Sequence, residues 1–202
     1  MQVTVIDYKA GNLTSVLKTL RHLGAEPVVT DNDAALVLSA QHIVLPGVGH
    51  FAATGRLDDT GLTAAIRTAI AKGIPFLGIC VGMQWLYAGS FEAPDQPGLA
   101  HFPEQCTRFP ESKQKVPHVG WNSLDVRNGS RLLAGVTPGE FVYFTHSYRA
   151  PVTPDTAAST TYIDPFASSV ERGNVFGVQF HPEKSGATGL KILRNFLEIA
   201  AC

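Results

Sequence analysis

The first 80 residues alternate short apolar runs with amphipathic segments, and this alternation limits the fold more than any other feature of the sequence. Apolar runs of strand length predict strands at Val3–Asp7, Glu26–Thr30, His42–Pro46 and Ile74–Ile79. Segments with helical periodicity between them predict helices from Asn12, as the N-cap, to about Leu23, at Asp33–Ser39 and at Leu62–Lys72. Repeated β-α-β units require right-handed crossovers, so the first half predicts an open, largely parallel sheet flanked by helices.

The second half of the chain has a different pattern. Segment 89–117 is rich in proline, glycine and charge and predicts a loop. Beyond it, strands are predicted at Gly120–Val126, Phe141–Tyr148, Ala157–Tyr162, Phe166–Glu171 and Val175–Phe180, the last two joined by a turn at Arg172-Gly173-Asn174, followed by a helix at Ser185–Ala200. The predicted fold class is therefore α/β: an open, mostly parallel twisted sheet flanked by helices, with an antiparallel extension in the C-terminal half. No repeat or long linker divides the sequence, so we expect residues 1–202 to form a single domain.

The composition argues against several classes of function. The 202 residues carry 16 basic and 17 acidic side chains, a net charge of −1, which gives no reason to expect a nucleic-acid or membrane partner. No apolar run approaches the roughly 18 residues of a membrane span, and the sequence opens on a strand rather than a signal peptide, so we expect a cytoplasmic protein. The three cysteines, Cys80, Cys106 and Cys202, are odd in number and include no C-x-x-C pair, so neither a disulfide framework nor a zinc site is expected. We expect no other metal and no cofactor.

Cys80 stands at the end of the fourth predicted strand, between Gly78 and Gly82. This G-x-C-x-G pattern is the cysteine form of the nucleophile elbow, a strained strand-to-helix turn that exposes one side chain. Residues 81–87 predict the start of a helix, whose N-terminus stabilises a thiolate. A small hydrophobic residue packed in a tight turn explains the same pattern equally well.

A cysteine nucleophile needs a base, and His181 is the best placed of the seven histidines. It follows a strand and precedes Pro182, which favours an extended backbone at His181. If that extension continues, Glu183 shares its face and can orient one imidazole nitrogen. For His22, His42, His50 and His101 we expect a solvated role, whereas His118 and His146 lie beside strands and can line a site. The alternative for His181 is a strand-end histidine beside a surface glutamate.

Acyl transfer through a thiol also requires donors for the developing oxyanion. One predicted donor is the backbone N–H of Val81, directly after the nucleophile. The other lies in the loop Gly47-Val48-Gly49, where the glycines allow an N–H to point into the site, although an ordinary strand-to-helix turn has the same composition. Both positions are at the carboxyl ends of predicted parallel strands, where ligands bind in such sheets.

These motifs together resemble the class I (triad-type) glutamine amidotransferases, over essentially the whole chain. The family marks are Pro46-Gly47-Val48-Gly49, Gly78-Ile79-Cys80-Val81-Gly82-Met83-Gln84 and Gln179-Phe180-His181-Pro182-Glu183-Lys184-Ser185. Further marks are Asp7-Tyr8 with Gly11-Asn12, Val116-Pro117-His118-Val119-Gly120-Trp121-Asn122 and Thr145-His146-Ser147-Tyr148, which are similar to the branch of the family in histidine biosynthesis. One departure is Lys9, where that branch has glycine; because it lies in a loop, it bears on partner contacts more than on chemistry.

The resemblance implies a flavodoxin-like sheet and a role for each matching residue. Cys80, His181 and Glu183 would form the catalytic triad, Val48 and Val81 would supply oxyanion N–H groups, and Gly49, Gln84, Ser147 and Tyr148 would hold L-glutamine. Released ammonia would pass to a separate β/α-barrel synthase (cyclase) subunit in a heterodimer. The residues expected to face that partner are Asn12, Pro117, Trp121, Tyr143 and Lys184, although core packing explains Trp121 and Tyr143 equally well.

Three other functions are compatible with the same sequence. The first keeps the glutaminase chemistry but serves another partner, such as an aminodeoxychorismate or anthranilate synthase. The second is a free-standing cysteine hydrolase acting on peptides or esters. The third is a non-catalytic binding module, against which the complete set of Cys80, His181 and Glu183 argues.

Overall fold

The computed structural model describes residues 1–10, 13–127 and 129–201. Its strands are β1 (Gln2–Ile6), β2 (Glu26–Thr30), β3 (Ile43–Gly47), β4 (Phe76–Cys80), β5 (Tyr87–Ser90), β6 (Phe102–Arg108), β7 (His118–Ser123), β8 (Asp125–Val126), β9 (Phe141–His146), β10 (Tyr148–Arg149), β11 (Thr156–Tyr162), β12 (Asp164–Arg172) and β13 (Val175–Val178). Its α-helices are α1 (Leu13–His22), α2 (Ala34–Leu38), α3 (Arg56–Asp59), α4 (Leu62–Ala71), α5 (Val81–Trp85) and α6 (Gly186–Glu198), with 3₁₀ helices at Phe51–Gly55 and Pro182–Lys184. None of these helices is long and apolar enough to cross a membrane. The predicted N-cap of α1, Asn12, lies outside the described residues.

Eight strands form the central sheet, in the order β2-β1-β3-β4-β13-β12-β11-β8. The first five pair in parallel, and the last three add antiparallel neighbours to that edge. The order of the parallel strands is that of flavodoxin-like sheets. The predicted fold class, including the antiparallel extension, is therefore confirmed.

The parallel part of the sheet follows from its sequence. Every residue of β3 and β4 is buried, as expected of parallel strands covered by helices on both faces. Helix α1 packs Val16 and Leu20 inward, and burial of each such aliphatic side chain contributes about 1.5–3 kcal/mol. Gly24 then ends α1 in a left-handed conformation (φ 84°), which lets the Ala25 N–H reach the Leu20 carbonyl.

The prediction of a loop over residues 89–117 is wrong in two places. Strand β6 lies inside this segment and pairs in parallel with β5, which overlaps its start. Turn residues surround β6 and conceal it in the sequence, but Phe102 and Cys106 are fully buried. Because Tyr87 belongs to β5, helix α5 is only five residues long and does not reach the predicted residue 87.

The predicted strand Gly120–Val126 is two strands in different sheets. β7 pairs with β9 in a separate two-stranded sheet, whereas β8 pairs with β11 at the edge of the central sheet. The predicted strand Phe141–Tyr148 is likewise divided into β9 and β10, which joins β6. Strand partners are distant in sequence, so local propensity does not reveal where one strand changes partner.

His42 does not have the solvated role expected from the sequence. It is buried, and its Nε2 lies 2.8 Å from the Ile199 carbonyl oxygen. Its ring also contacts Phe196 edge-on, so His42 packs the end of α6 against the sheet.

Candidate active site

The site begins at the junction between β4 and α5, where Cys80 has φ 55° and ψ −108°. A positive φ is unusual for a residue with a side chain and marks a strained turn. A Cβ on Gly82 would collide with the Leu45 carbonyl, and a Cβ on Gly78 would collide with the Gly82 carbonyl. The two glycines therefore let strand and helix approach closely enough to present the Cys80 side chain.

His181 is brought to the site by two backbone connections. Its N–H donates to the Tyr143 carbonyl at 2.9 Å, and its own carbonyl accepts the Ser185 hydroxyl at 2.6 Å. The Ser185 hydroxyl oxygen also accepts the Tyr143 N–H. These bonds attach the 181–185 segment to β9, so β9 and the end of β13 together fix the imidazole.

The side chains of His181 and Glu183 form a buried pair. Nδ1 of His181 lies 2.9 Å from Oε1 of Glu183, and the side chains are 3% and 4% exposed. The extended backbone predicted from the sequence is wrong beyond His181, because Pro182–Lys184 is a 3₁₀ helix. The turn of that helix, rather than a shared strand face, brings Glu183 to the imidazole.

His181 is held in its protonated form. Burial lowers its pKa, but hydrogen bonds to Cys80 and to Glu183 outweigh this effect, and the pKa is raised above its ordinary value. An imidazolium beside a cysteine favours the thiolate, which is the nucleophilic form. The three side chains can therefore act as nucleophile, proton carrier and orienting carboxylate.

Cys80 opens onto a cavity of about 250 Å³, a size suited to an amino acid. Its lining includes most of the residues that the sequence predicted for the site. They are Val48, Gly49, Cys80, Val81, Gln84, Glu92, Thr145, His146, Ser147, Tyr148, His181 and Lys184. Glu183 lies behind His181 and does not line the cavity.

The two predicted oxyanion donors are placed differently. Val81 opens α5, and N–H groups in the first turn of a helix have no intrahelical acceptor. The Val48 N–H instead donates to the Ala10 carbonyl at 3.1 Å. In this conformation Val48 does not offer its N–H to the cavity, contrary to the sequence prediction, because the loop after β1 captures it.

Lys9, the departure from the family pattern, lies directly before that acceptor. It has a left-handed backbone (φ 63°), and its Nζ lies 3.1 Å from Asp7 and 3.0 Å from Asp31. Lys9 is therefore adjacent to Ala10, whose carbonyl binds the N–H of Val48. This places Lys9 nearer to the predicted oxyanion donor than its sequence position indicated.

Glu92 lines the cavity, although the sequence motifs did not predict it as a site residue. Its Oε2 accepts the Phe51 N–H at 2.7 Å, which orients the carboxylate at the edge of the cavity. The only signal in the sequence was an acidic residue shortly after the Cys80 helix, within a segment interpreted as a loop.

Of the predicted partner residues that the structure describes, Lys184 lines the cavity, whereas Pro117, Trp121 and Tyr143 do not. Trp121 is 55% exposed, so the core-packing interpretation is wrong for it. Tyr143 is half-buried, contacts Trp121 edge-on and lies 5.8 Å from the Lys184 ammonium. Pro117 is exposed, and Asn12 lies outside the described residues.

His118 and His146 lie on the inner side of the same two-stranded sheet. His118 Nδ1 and His146 Nε2 are 3.1 Å apart, and burial lowers the pKa of His118 to about 4 and that of His146 to about 3. Both are therefore neutral at pH 7. His146 lines the cavity, as expected from the sequence, whereas His118 lies behind it.

Comparison with known proteins places this geometry in a family. Residues 4–200 match the family model for glutamine amidotransferase class-I. The chain is 44% identical to an imidazole glycerol phosphate synthase subunit HisH from Methanosarcina acetivorans, covering 98% of both chains. It is 46% identical to the subunit of the same name from Deinococcus radiodurans, covering 96% of this chain and 92% of the relative.

A solved structure shows that the fold is shared more widely. A glutamine amidotransferase from Thermotoga maritima superposes with a TM-score of 0.67 at 16% identity, covering 98% of this chain and 96% of that one. The family model and the full-length relatives, together with this fold, lead to one conclusion. The chain belongs to the class I glutamine amidotransferases, and within them to the family of imidazole glycerol phosphate synthase subunits HisH.

Proposed function

We propose that this protein is the glutaminase subunit of an imidazole glycerol phosphate synthase, hydrolysing L-glutamine to glutamate and ammonia. The observation that carries the proposal is the strained Cys80 elbow beside the buried His181–Glu183 pair, opening into a cavity of amino-acid size. The relatives that carry the subunit name support the choice of synthase over aminodeoxychorismate or anthranilate synthases.

The chemistry follows from the protonation states of Cys80 and His181. The Cys80 thiolate attacks the side-chain amide carbon of glutamine, and the His181 imidazolium gives its proton to the departing nitrogen, which leaves as ammonia. The resulting glutamyl thioester is then hydrolysed by water. His181 takes a proton from the attacking water, glutamate is released as the thiolate leaves, and the Cys80 thiolate and His181 imidazolium are restored. Glu183 keeps the imidazole oriented through its contact with Nδ1.

Both tetrahedral intermediates carry an oxyanion that requires N–H donors. The Val81 N–H serves from the first turn of α5. The Val48 N–H can serve only after its peptide leaves the Ala10 carbonyl, so full activity requires a local rearrangement of the 47–49 loop.

The cavity also provides groups for the amino-acid end of glutamine. The Glu92 carboxylate is suited to the α-ammonium group, because an ion pair in a partly enclosed site favours the charged substrate. Gly49, Gln84, Ser147 and Tyr148 line the remaining walls and provide backbone and side-chain polar groups.

We propose further that ammonia passes to a β/α-barrel synthase (cyclase) subunit in a heterodimer. The outer face of β7 and β9 supports this, because Val119, Trp121 and Phe141 are all more than half exposed there. Residues 1–202 act as one domain, supported by a continuous buried cluster from β1 to α6. We also propose that the protein acts in the cytoplasm, the location expected from its sequence.

The test uses the complex of this chain with its cyclase partner. Cys80→Ala should abolish glutamine-dependent synthesis of the imidazole product while leaving synthesis from added ammonia intact. His181→Ala should do the same, and Glu183→Ala should cost less, because an orienting group contributes less than the base it holds. Glutamine-dependent synthesis by Cys80→Ala would contradict the proposal, as would wild-type glutamate release that does not rise when the partner is added.

A further inference from the structure

Gln179 belongs to a motif of the sequence, yet the proposed mechanism gives it no role. It lies between β13 and His181 and is completely buried. Its Nε2 lies 3.6 Å from Sγ of Cys80, within hydrogen-bonding distance for sulfur. The amide therefore contacts the reacting atom directly.

The neighbouring groups determine which end of this amide faces the sulfur. The Tyr148 carbonyl can only accept, so Gln84 must present its Nε2 there, at 2.9 Å. The same Nε2 donates to Oε1 of Gln179 at 3.0 Å. With its oxygen committed to Gln84, Gln179 turns its N–H toward Sγ.

The buried histidines help to fix the position of the Tyr148 carbonyl. His146 Nδ1 lies 2.9 Å from this oxygen and must carry a proton to bond it. Because His146 is neutral, its Nε2 then carries no proton. This nitrogen accepts a hydrogen bond from the Nδ1–H of His118. Two independent donors, Gln84 and His146, therefore hold the same carbonyl in place.

We propose that Gln179 is a hydrogen-bond donor to the nucleophile, which favours the Cys80 thiolate and directs Sγ toward the substrate. Gln84 acts as a positioning residue through Gln179, in addition to lining the cavity. A thiolate accepts a hydrogen bond more strongly than a thiol, so a fixed N–H donor shifts the equilibrium toward the nucleophilic form. This inference deepens the proposed function and rests on Cys80 being the nucleophile.

The test is the pH dependence of Cys80 alkylation by iodoacetamide in the purified full-length chain. The rate is followed by mass spectrometry of the Cys80 peptide, so labelling of other cysteines does not interfere. Gln179→Met keeps similar volume and removes the donor. Gln179→Glu keeps an acceptor for Gln84 but presents an oxygen to the sulfur. We expect the pH midpoint of alkylation to rise by about one unit in Gln179→Met, roughly tenfold in the thiolate-to-thiol ratio, and by more in Gln179→Glu.

The control is Gln41→Met, the same substitution at an exposed residue, which should keep the wild-type midpoint. Circular dichroism melting identifies folded variants, and either Gln179 variant is sufficient for the test. A wild-type midpoint in a folded Gln179 variant would overturn the inference, because a residue that only packs the core has no effect on it. Glutamine hydrolysis by the wild-type complex separates the two proposals: its absence contradicts the proposed function, whereas an unchanged midpoint in an active enzyme contradicts only the role of Gln179.

Discussion

At the scale of single residues, the site combines a strained backbone with a buried charge, and contacts with neighbouring groups must offset the cost of both. Cys80 has a backbone conformation that costs about 1–3 kcal/mol, and His181 holds a charge in a nearly closed environment. The compensating contacts are local: Glu183 on one imidazole nitrogen and Gln179 on the sulfur. Backbone strain and a buried charge thus occur together at the atoms that react.

Glu92 provides the residue-scale prediction for substrate binding. Glu92→Gln keeps the size of the side chain and an acceptor for the Phe51 N–H, but removes the charge that faces the cavity. We expect KM for glutamine to rise about 10- to 100-fold, with kcat changed less, because the lost ion pair contributes to ground state and transition state alike.

A glutamine analogue without the α-amino group provides the control for this prediction. It cannot form the ion pair, so wild type and Glu92→Gln should hydrolyse it with similar KM. A comparable loss with both substrates would show that Glu92 acts on the fold of the site rather than on the ammonium.

The residues of the site were not equally predictable. Cys80 and His181 lie at the ends of apolar strands with distinctive neighbours, so local sequence identifies them as candidates. Glu92 and the donor role of Gln179 depend on contacts between segments about 40 and 100 positions apart, which no local pattern records. The hydrogen bond from the Val48 N–H to the Ala10 carbonyl likewise depends on the orientation of one peptide group. The glycines beside Val48 permit this orientation but do not determine it.

At the scale of elements, the elbow depends on close contact between β3, β4 and α5. Gly82→Ala would place a methyl group against the Leu45 carbonyl, and neither backbone can move without disturbing the sheet. We expect a destabilisation of about 3 kcal/mol or more, measured by urea unfolding. Gly89→Ala is the matched control, because a Cβ there would make only an ordinary contact of 3.6 Å with the Gln96 carbonyl oxygen. This substitution should change the free energy of unfolding by less than about 1 kcal/mol.

Glu140 connects the turn before β9 to helix α6, and its contribution should depend on pH. Its carboxylate accepts the Thr137 N–H at 2.9 Å and the Thr188 hydroxyl at 2.7 Å. The Thr137 N–H first and the Thr188 hydroxyl next lower its pKa to about 2. A lowered pKa in the folded state stabilises the protein above the ordinary carboxyl range, and this stabilisation is lost as pH falls toward the folded-state pKa.

Glu140→Gln should therefore cost about 1–2 kcal/mol at pH 7, a value reduced to allow for solvent screening of this partly exposed group. The difference from wild type should shrink between about pH 4.5 and about pH 2. Urea unfolding at several pH values measures it, with Glu111→Gln at an exposed position as the control. A difference that does not vary with pH would show that lost packing, not charge, is responsible.

The order of the parallel strands was easier to anticipate than the second half of the fold. Alternating β-α units with right-handed crossovers leave few arrangements, and caps such as Gly24 mark their boundaries. The strands after residue 86 pair in three different sheets. Leu124, a single fully buried residue, separates two strands that belong to different sheets, and propensity alone does not distinguish this break from a continuous strand.

At the scale of the whole molecule, the reactive cavity and the exposed apolar face are continuous. Alternate residues of β9 share a face, so Thr145 at the cavity lies on the same side as Tyr143 and Phe141. Opposite them, Trp121 pairs with Tyr143 and Val119 with Thr145. A partner bound to this face would therefore contact the strand that also holds His181 through the Tyr143 carbonyl. The proposed interface and the triad would then share β9.

Trp121 should be a dominant contact for that partner. An exposed tryptophan supported by Tyr143 can bury a large apolar surface with little loss of side-chain entropy, and such residues dominate binding energy at interfaces. We expect Trp121→Ala to weaken association with the cyclase partner at least tenfold, measured by isothermal titration calorimetry. Val29→Ala is the control and should leave Kd unchanged, because Val29 is 42% exposed on β2, an edge strand of the central sheet that pairs with neither β7 nor β9. If both variants bind the partner like wild type, the partner docks elsewhere. If only Trp121→Ala binds more weakly, a higher partner concentration should restore its glutamine-dependent synthesis, because the cavity itself is intact.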